Sequence, residues 1–118
     1  MKKLTEMINE QVNVGVQPLN TELLFITKGE EQVGSLLLIY NENKASIYSV
    51  EVLNSYRGKG YGKRLVENAI VRCKQRMCES IELNTEIDNT VANNLYRSMG
   101  FELKGLKHSF NNYIKPLN

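Results

Sequence analysis

The chain has 118 residues, 15 Lys and Arg against 13 Asp and Glu, a net charge of +2, and 42% hydrophobic residues. That length predicts a single domain over residues 1–118, able to bury about two thirds of its unfolded surface. Its apolar content excludes a disordered chain, and its near-neutral balance argues against a nucleic-acid binder.

No apolar run nears the ~20 residues of a membrane helix, and no apolar segment follows Lys2 and Lys3 as a signal peptide requires. A cytoplasmic protein with no membrane partner is expected. Cys73 and Cys78 are five apart on a predicted helix, which puts them on different faces. They form no CxxC pair, and no Cys/His cluster completes a metal site. Two reduced packing cysteines and no bound metal are the expectation.

Residues 1–20 are the least readable and predict an N-terminal arm or a first strand. Val12, Val14 and Val16 alternate with polar residues and glycine, the period of a half-buried strand, and Pro18 closes it. Leu23 to Thr27 reads as a second strand, Lys28 to Glu31 as a turn, and Val33 to Tyr40 as a third strand, apolar on both faces and so central. Asn41 to Lys44 turns the chain into a fourth strand, about Ala45 to Leu53, making an antiparallel meander. Then the period changes. Leu65, Val66, Ala69, Ile70, Cys73 and Met77 form one apolar stripe on a helix from about Lys59 to Met77. Ile81 to Asn84 is a short strand. Asp88 or Asn89 can cap a second helix whose apolar face is Val91, Ala92, Leu95, Tyr96 and Met99, and Gly100 ends it. Phe101 to Leu103 and Phe110 to Lys115 are the last strands. The order β-β-β-β-α-β-α-β-β predicts an α/β (α+β) fold with a mixed, mostly antiparallel sheet. His108, in a polar stretch between the last two strands, reads as an exposed turn residue.

The segment Tyr56-Arg57-Gly58-Lys59-Gly60-Tyr61-Gly62-Lys63 joins the fourth strand to the first helix. The first N–H groups of a helix lack internal partners, and its dipole puts partial positive charge there. Glycines at 60 and 62 let a phosphate approach several of those amides, with Arg57, Lys59, Lys63 and Arg64 adding charge nearby. The run is neither G-x-G-x-x-G nor the G-K-[ST] of a P-loop.

A second motif follows. Asn89-Thr90-Val91-Ala92-Asn93-Asn94-Leu95-Tyr96-Arg97-Ser98-Met99-Gly100-Phe101 reads N-x-x-A-x-x-x-Y-x-x-x-G-F. With R-x-x-G-x-G at Arg57, Gly60 and Gly62, in this order, the pair resembles the GNAT superfamily of acyl-CoA-dependent N-acetyltransferases, over about Leu23 to Leu106. The resemblance implies acetyl-CoA as cosubstrate and direct acetyl transfer to a primary amine, of a protein, a peptide or a small molecule, in a ternary complex. It implies that the fourth and fifth strands splay, that diphosphate sits on the turn from Arg57 through Gly58, Lys59, Gly60, Tyr61 and Gly62 to Lys63, and that Val50, Glu51 and Val52 pair with the pantetheine arm. The Val52 N–H would hold the thioester carbonyl, Asn89 would contact the cofactor, and Tyr96 would be the general acid. A non-catalytic CoA-binding regulatory module is the alternative.

Two departures qualify the match. The strand positions where many family members carry a basic carboxylate correspond to Ser46 and Asn84, which are not bases. Glu51 and Glu82 lie nearby, but strand alternation can turn them away, so the base is left unassigned between Glu51 and a water relay. And no room exists between Val16 and Leu23 for the two helices that wall the acceptor site in many members. An acceptor side that is open, or one completed by a second subunit in a homodimer, is expected.

Overall fold

A computed structural model of the chain describes residues 12–16 and 20–117. The strands are β1 Val12–Val16, β2 Thr21–Lys28, β3 Glu31–Asn41, β4 Lys44–Val52, β5 Ser80–Glu86, β6 Glu102–Lys107 and β7 Phe110–Pro116. The helices are α1 Tyr61–Gln75 and α2 Thr90–Ser98, with a short 3₁₀ turn at Asn54–Tyr56 before α1. The strands form one sheet in the order β1-β2-β3-β4-β5-β7-β6, antiparallel throughout except where β4 runs parallel to β5. This is the mixed, mostly antiparallel architecture expected, with the predicted element order. The expected break at Pro18 lies outside the described residues.

Both helices cover the same face of the sheet. On that face β3 presents Leu36 and Leu38, β4 Ala45 and Ile47, β5 Ile81 and Leu83, and β7 Tyr113, all buried. The α1 residues Leu65, Val66, Ala69 and Cys73 close over them. On the other face Leu23, Phe25, Leu37 and Ile39 are only half-buried and Tyr48 is exposed. The third strand is central in the sheet, as expected, but its two apolar faces are not equally covered. β3 is central by its two hydrogen-bonded neighbours, but among the described residues no helix packs on its second face.

The last turn of α1 also differs from expectation. The helix stops at Gln75, Met77 takes φ 61°, and its side chain is 84% exposed rather than part of the apolar stripe. The Cys78 N–H donates to the Cys73 carbonyl (2.9 Å) and the Met77 N–H to the Lys74 carbonyl (3.0 Å). These are the two bonds of a Schellman ending, with methionine where glycine is usual. α2 ends identically. The Phe101 N–H donates to Tyr96 (3.0 Å) and the Gly100 N–H to Arg97 (3.1 Å), with Gly100 at φ 88°. Because α1 has ended, Cys78 lies beyond it and folds back beside Cys73 rather than on another face of one helix. Both thiols are free and buried, and burial, with Cys78 adjacent, pushes Cys73 up to about 12.

α1 is tied to the sheet at its C-terminal end. The Arg72 guanidinium grips both oxygens of Glu22 on β2, with Nε at 3.0 Å from Oε1, and the Tyr40 hydroxyl donates to the same carboxylate. The Arg72 hydrogen bonds hold the Glu22 carboxyl below its ordinary value against the opposing effect of burial. Arg76 lies 3.7 Å above the Tyr40 ring, a cation–π contact that covers the pair.

Candidate active site

β4 and β5 pair only over Lys44–Ile47 and Ser80–Leu83, and beyond those residues the strands separate. The separation coincides with a bulge. Leu37 of β3 faces Tyr48 while Ser35 faces Glu51, so β4 carries one residue extra, and Ser49 takes φ 54° to absorb it. The extra residue reverses the side-chain alternation. Before it Ala45 and Ile47 face the helices; after it Val50 and Val52 do, both packed against the core. The Leu53 N–H donates to the Val33 carbonyl of β3 (2.9 Å). Successive amides point to opposite edges of a strand, so the Val52 N–H is turned to the edge where β5 has departed. The Val52 carbonyl on that edge accepts from Arg57 Nε at 3.1 Å.

A cleft of about 730 Å³ opens on the helix side of this gap. Val50 and Val52 form one wall, the turn residues Arg57, Gly58, Gly60, Tyr61, Gly62 and Lys63 its mouth, and Asn89, Val91, Ala92, Leu95 and Tyr96 the opposite wall. The two sequence motifs thus face each other across one cavity. Gly60 is the N-cap of α1 at φ 86°, a left-handed conformation that costs other residues about 1–2 kcal/mol. It supplies no capping side chain, and the first turn of α1 holds no carboxylate. The opening amides and the positive end of the helix dipole are therefore directed at the mouth, beside Arg57 and Lys63. This donor set suits a diphosphate, and the apolar wall of Val91, Ala92 and Leu95 suits a long neutral arm, so the cleft fits coenzyme A.

Tyr96 stands at the end of the cleft where the strands part. It is 6% exposed and packs edge-on to Phe101 (centroids 6.0 Å) and against Tyr113 (6.3 Å). Burial raises its hydroxyl above the ordinary tyrosine value, and that hydroxyl has no hydrogen-bond partner among the described residues. Its position is set by Asn93, one turn earlier. The Asn93 amide group donates to the carbonyls of Asn89 (2.7 Å) and Glu86 (3.0 Å), while its oxygen accepts from the Tyr113 hydroxyl (2.6 Å) and from Asn111 (2.9 Å). Of the two predicted caps it is Asn89 that serves, its side-chain oxygen accepting from the Ala92 N–H at 3.1 Å.

Two predicted site residues lie outside the cleft. The Lys59 ammonium sits 5.4 Å over the ring of Tyr56. The Glu51 side chain is turned by the bulge to the helix-free face, and Glu51 lines a second cavity of about 340 Å³ with Gln32, Ser35 and Asn54, which shares Val52 and Arg57 with the cleft. Glu82 falls on that face as well, beside Ser46 and Asn84. His108 is exposed at the tip of the β6–β7 hairpin, as expected. The sequence reading missed Tyr56, Val91, Ala92 and Leu95 as cleft residues. Val91 carried a usable signal, an apolar residue in the first turn after a cap, and it is 82% exposed.

Residues 8–101 match the Acetyltransferase (GNAT) family. The chain belongs to that family. It is 48% identical over 50 residues to N-alpha-acetyltransferase 30 of Saccharomyces cerevisiae, across 42% of this chain and 28% of that protein. It is 30% identical over 83 residues to the uncharacterized N-acetyltransferase YvbK of Bacillus subtilis, across 70% of this chain and 54% of that one. The matches thus span about half or less of those relatives' length. In fold it is similar to an acetyltransferase of Bacillus subtilis solved in complex with CoA, with a TM-score of 0.82 at 17% identity, covering 92% of this chain and 99% of the other.

Proposed function

We propose that the protein transfers an acetyl group from acetyl-CoA to a primary amine, and that the acceptor is the α-amine of a peptide or protein. The observation that carries this reading is the single cleft between the glycine-rich turn and Tyr96. It has diphosphate donors at one end, Val50 and Val52 of the parting strand along one wall, and at the other end the Tyr96 hydroxyl, open to the cleft and without a protein partner among the described residues.

When bound, acetyl-CoA supplies an activated acyl carbon. The residues of this chain do the rest. The amides from Gly60 to Lys63, with Arg57 and Lys63, hold the diphosphate and fix the depth to which the arm enters. Val50 and Val52, with the backbone of Glu51 between them, line the arm. The Val52 N–H, turned to the gap, donates to the oxygen that gains charge as nitrogen attacks; one such fixed donor is worth about 3 kcal/mol. Asn89 holds the first turn of α2 against the cleft. Tyr96 donates its proton to the departing sulfur. A free tyrosine at ~10 against a thiol at ~8.5 makes complete prior transfer uphill by about 2 kcal/mol, and burial raises Tyr96 further. The proton therefore moves as the carbon–sulfur bond breaks, not before.

The attacking nitrogen must be neutral. At pH 7 that costs about 4.6 kcal/mol for a lysine side chain and about 1 kcal/mol for an α-amine. Relatives named N-alpha-acetyltransferase 30 and 40 support the α-amine. The helix-free face, with no described helix over it, supports a macromolecular acceptor. Release of free thiol from acetyl-CoA is the test, across a panel of N-terminal peptides, lysine peptides and small amines. Turnover with N-terminal peptides above the others supports the reading. Binding of CoA with no thiol released on any amine leaves a CoA-binding module in its place.

A further inference from the structure

The family resemblance leaves the base without a residue, because Ser46 and Asn84 occupy the two strand positions where a carboxylate was sought. The structure puts a carboxylate between them. Glu82 is the β5 residue in register with Ser46 on β4, in the last parallel pairs before the strands part. The Ser46 hydroxyl donates to Glu82 Oε1 at 3.4 Å. The side-chain amide of Asn112, on β7, donates to Glu82 Oε2 at 3.2 Å and to Asn84 Oδ1 at 2.9 Å. Lys107, on β6, reaches Oε1 at 3.5 Å. Partners from three neighbouring strands thus converge on one carboxylate, and Asn112 links it to Asn84, the first β5 residue beyond the parallel pairs.

The face matters as much as the residue. Both helices and the cleft lie on one side of the sheet; Glu82, Ser46, Asn84 and Asn112 lie on the other. The strand gap connects the two sides. With the helix-side cleft taken up by CoA, an acceptor that approaches from the helix-free face passes this carboxylate. Lys107 is the cation nearest Glu82. Register puts Lys44 and Tyr48 of β4, Glu86 of β5, and Glu102 with its Lys104 partner of β6 around it on the same face.

We propose that Glu82 is the proton acceptor for the amine substrate, doing from β5 the work for which Ser46 and Asn84 lack the chemistry. This rests on the acetyl-transfer reading above and deepens it. The Glu82 carboxylate takes one proton from the acceptor's ammonium group. The lone pair so freed forms the carbon–nitrogen bond as the carbon–sulfur bond breaks. Tyr96 passes its proton to the sulfur and regains one from the nitrogen, and Glu82 returns its proton to solvent. The hydrogen bonds from Ser46 and Asn112 aim the carboxylate without neutralising it.

The test uses Glu82→Gln and Glu82→Asp. Glutamine keeps the shape and can still accept from Asn112; aspartate keeps the charge. With an N-terminal peptide as acceptor, E82Q lowers kcat/KM about 100-fold, the low end of general-base effects. It also leaves only acceptor that is already neutral able to react, so in E82Q the acid-side fall follows the ionisation of the α-amine itself, at ~7.7, whereas E82D falls as the parent does. CoA affinity by calorimetry stays within about twofold of the parent protein in both. Parent-like kcat/KM in E82Q, an unchanged acid side, or the same loss in Glu51→Gln while E82Q keeps its rate, overturns the assignment. A crystal of the unmutated protein with a CoA–peptide conjugate gives an answer that needs no variant. The peptide nitrogen on the Glu82 face supports the proposal; a nitrogen approaching along the Glu51 cavity overturns it. Absence of CoA binding by the unmutated protein is a different result and sinks acetyl transfer itself.

Discussion

Tyr96→Phe removes one oxygen from the end of the cleft and little else. The ring contacts with Phe101 and Tyr113 are carbon contacts and survive the change. The hydroxyl has no protein partner among the described residues, so no hydrogen bond is lost. A typical bond of that kind is worth about 1 kcal/mol net, and its absence bounds the cost in stability at about 0.5 kcal/mol. The chemical cost is larger. A positioned proton donor contributes on the order of 10²- to 10⁴-fold. A 100-fold loss is about 2.7 kcal/mol of barrier. The assay is thiol release from acetyl-CoA with a saturating amine, beside thermal melting and CoA calorimetry on the same samples. The expected outcome is kcat down about 100-fold or more, with melting temperature and CoA affinity essentially unchanged. Turnover within about threefold of the parent, in a variant that still binds CoA, refutes Tyr96 as donor.

Asn93→Ala withdraws both the acceptor for the fully buried Tyr113 hydroxyl and the link between α2 and β7, so it costs about 3 kcal/mol in urea unfolding. A loss under about 1 kcal/mol contradicts the anchoring role given to it. Met77→Gly relieves a left-handed residue at the end of α1 and exposes no core, so it stabilises by about 1 kcal/mol. Unchanged stability shows that Met77 bears no strain. The Glu22 carboxyl, lowered chiefly by Arg72, contributes stability that is present above the unfolded carboxylate value of ~4.5 and disappears as pH falls through its lower folded value. Glu22→Gln is therefore less stable than the parent at pH 7, and the difference narrows in melts taken below pH 4.5. A constant difference between the two proteins rules out this linkage.

The parts of the molecule visible in the sequence are those encoded by neighbours in the chain. Gly60 and Gly62 announce an open helix N-terminus, Asn89 a cap and Gly100 a stop, each through the conformation or bonding of a few adjacent residues. The alternation in β1 to β3 needs only the period of two. What stayed hidden depends on contacts across the sheet. The extra residue at Ser49 reverses the orientation of Val50, Glu51 and Val52, and no local composition marks it. The link from Asn93 to Tyr113 joins residues far apart in the chain. Glu82 reads as a surface carboxylate until β4 and β7 bring Ser46 and Asn112 beside it. Met77 looked like the next apolar residue of a stripe because sequence periodicity does not reveal the turn at which a helix closes.

The central claim is that one cleft, between the glycine-rich turn and Tyr96, holds coenzyme A with its sulfur at the strand gap. A crystal structure of the protein grown with CoA tests it directly. The account predicts the diphosphate against the amides of residues 60–63 and the sulfur within hydrogen-bonding distance of the Tyr96 hydroxyl. CoA bound elsewhere, or bound with its sulfur pointing away from Tyr96, contradicts it.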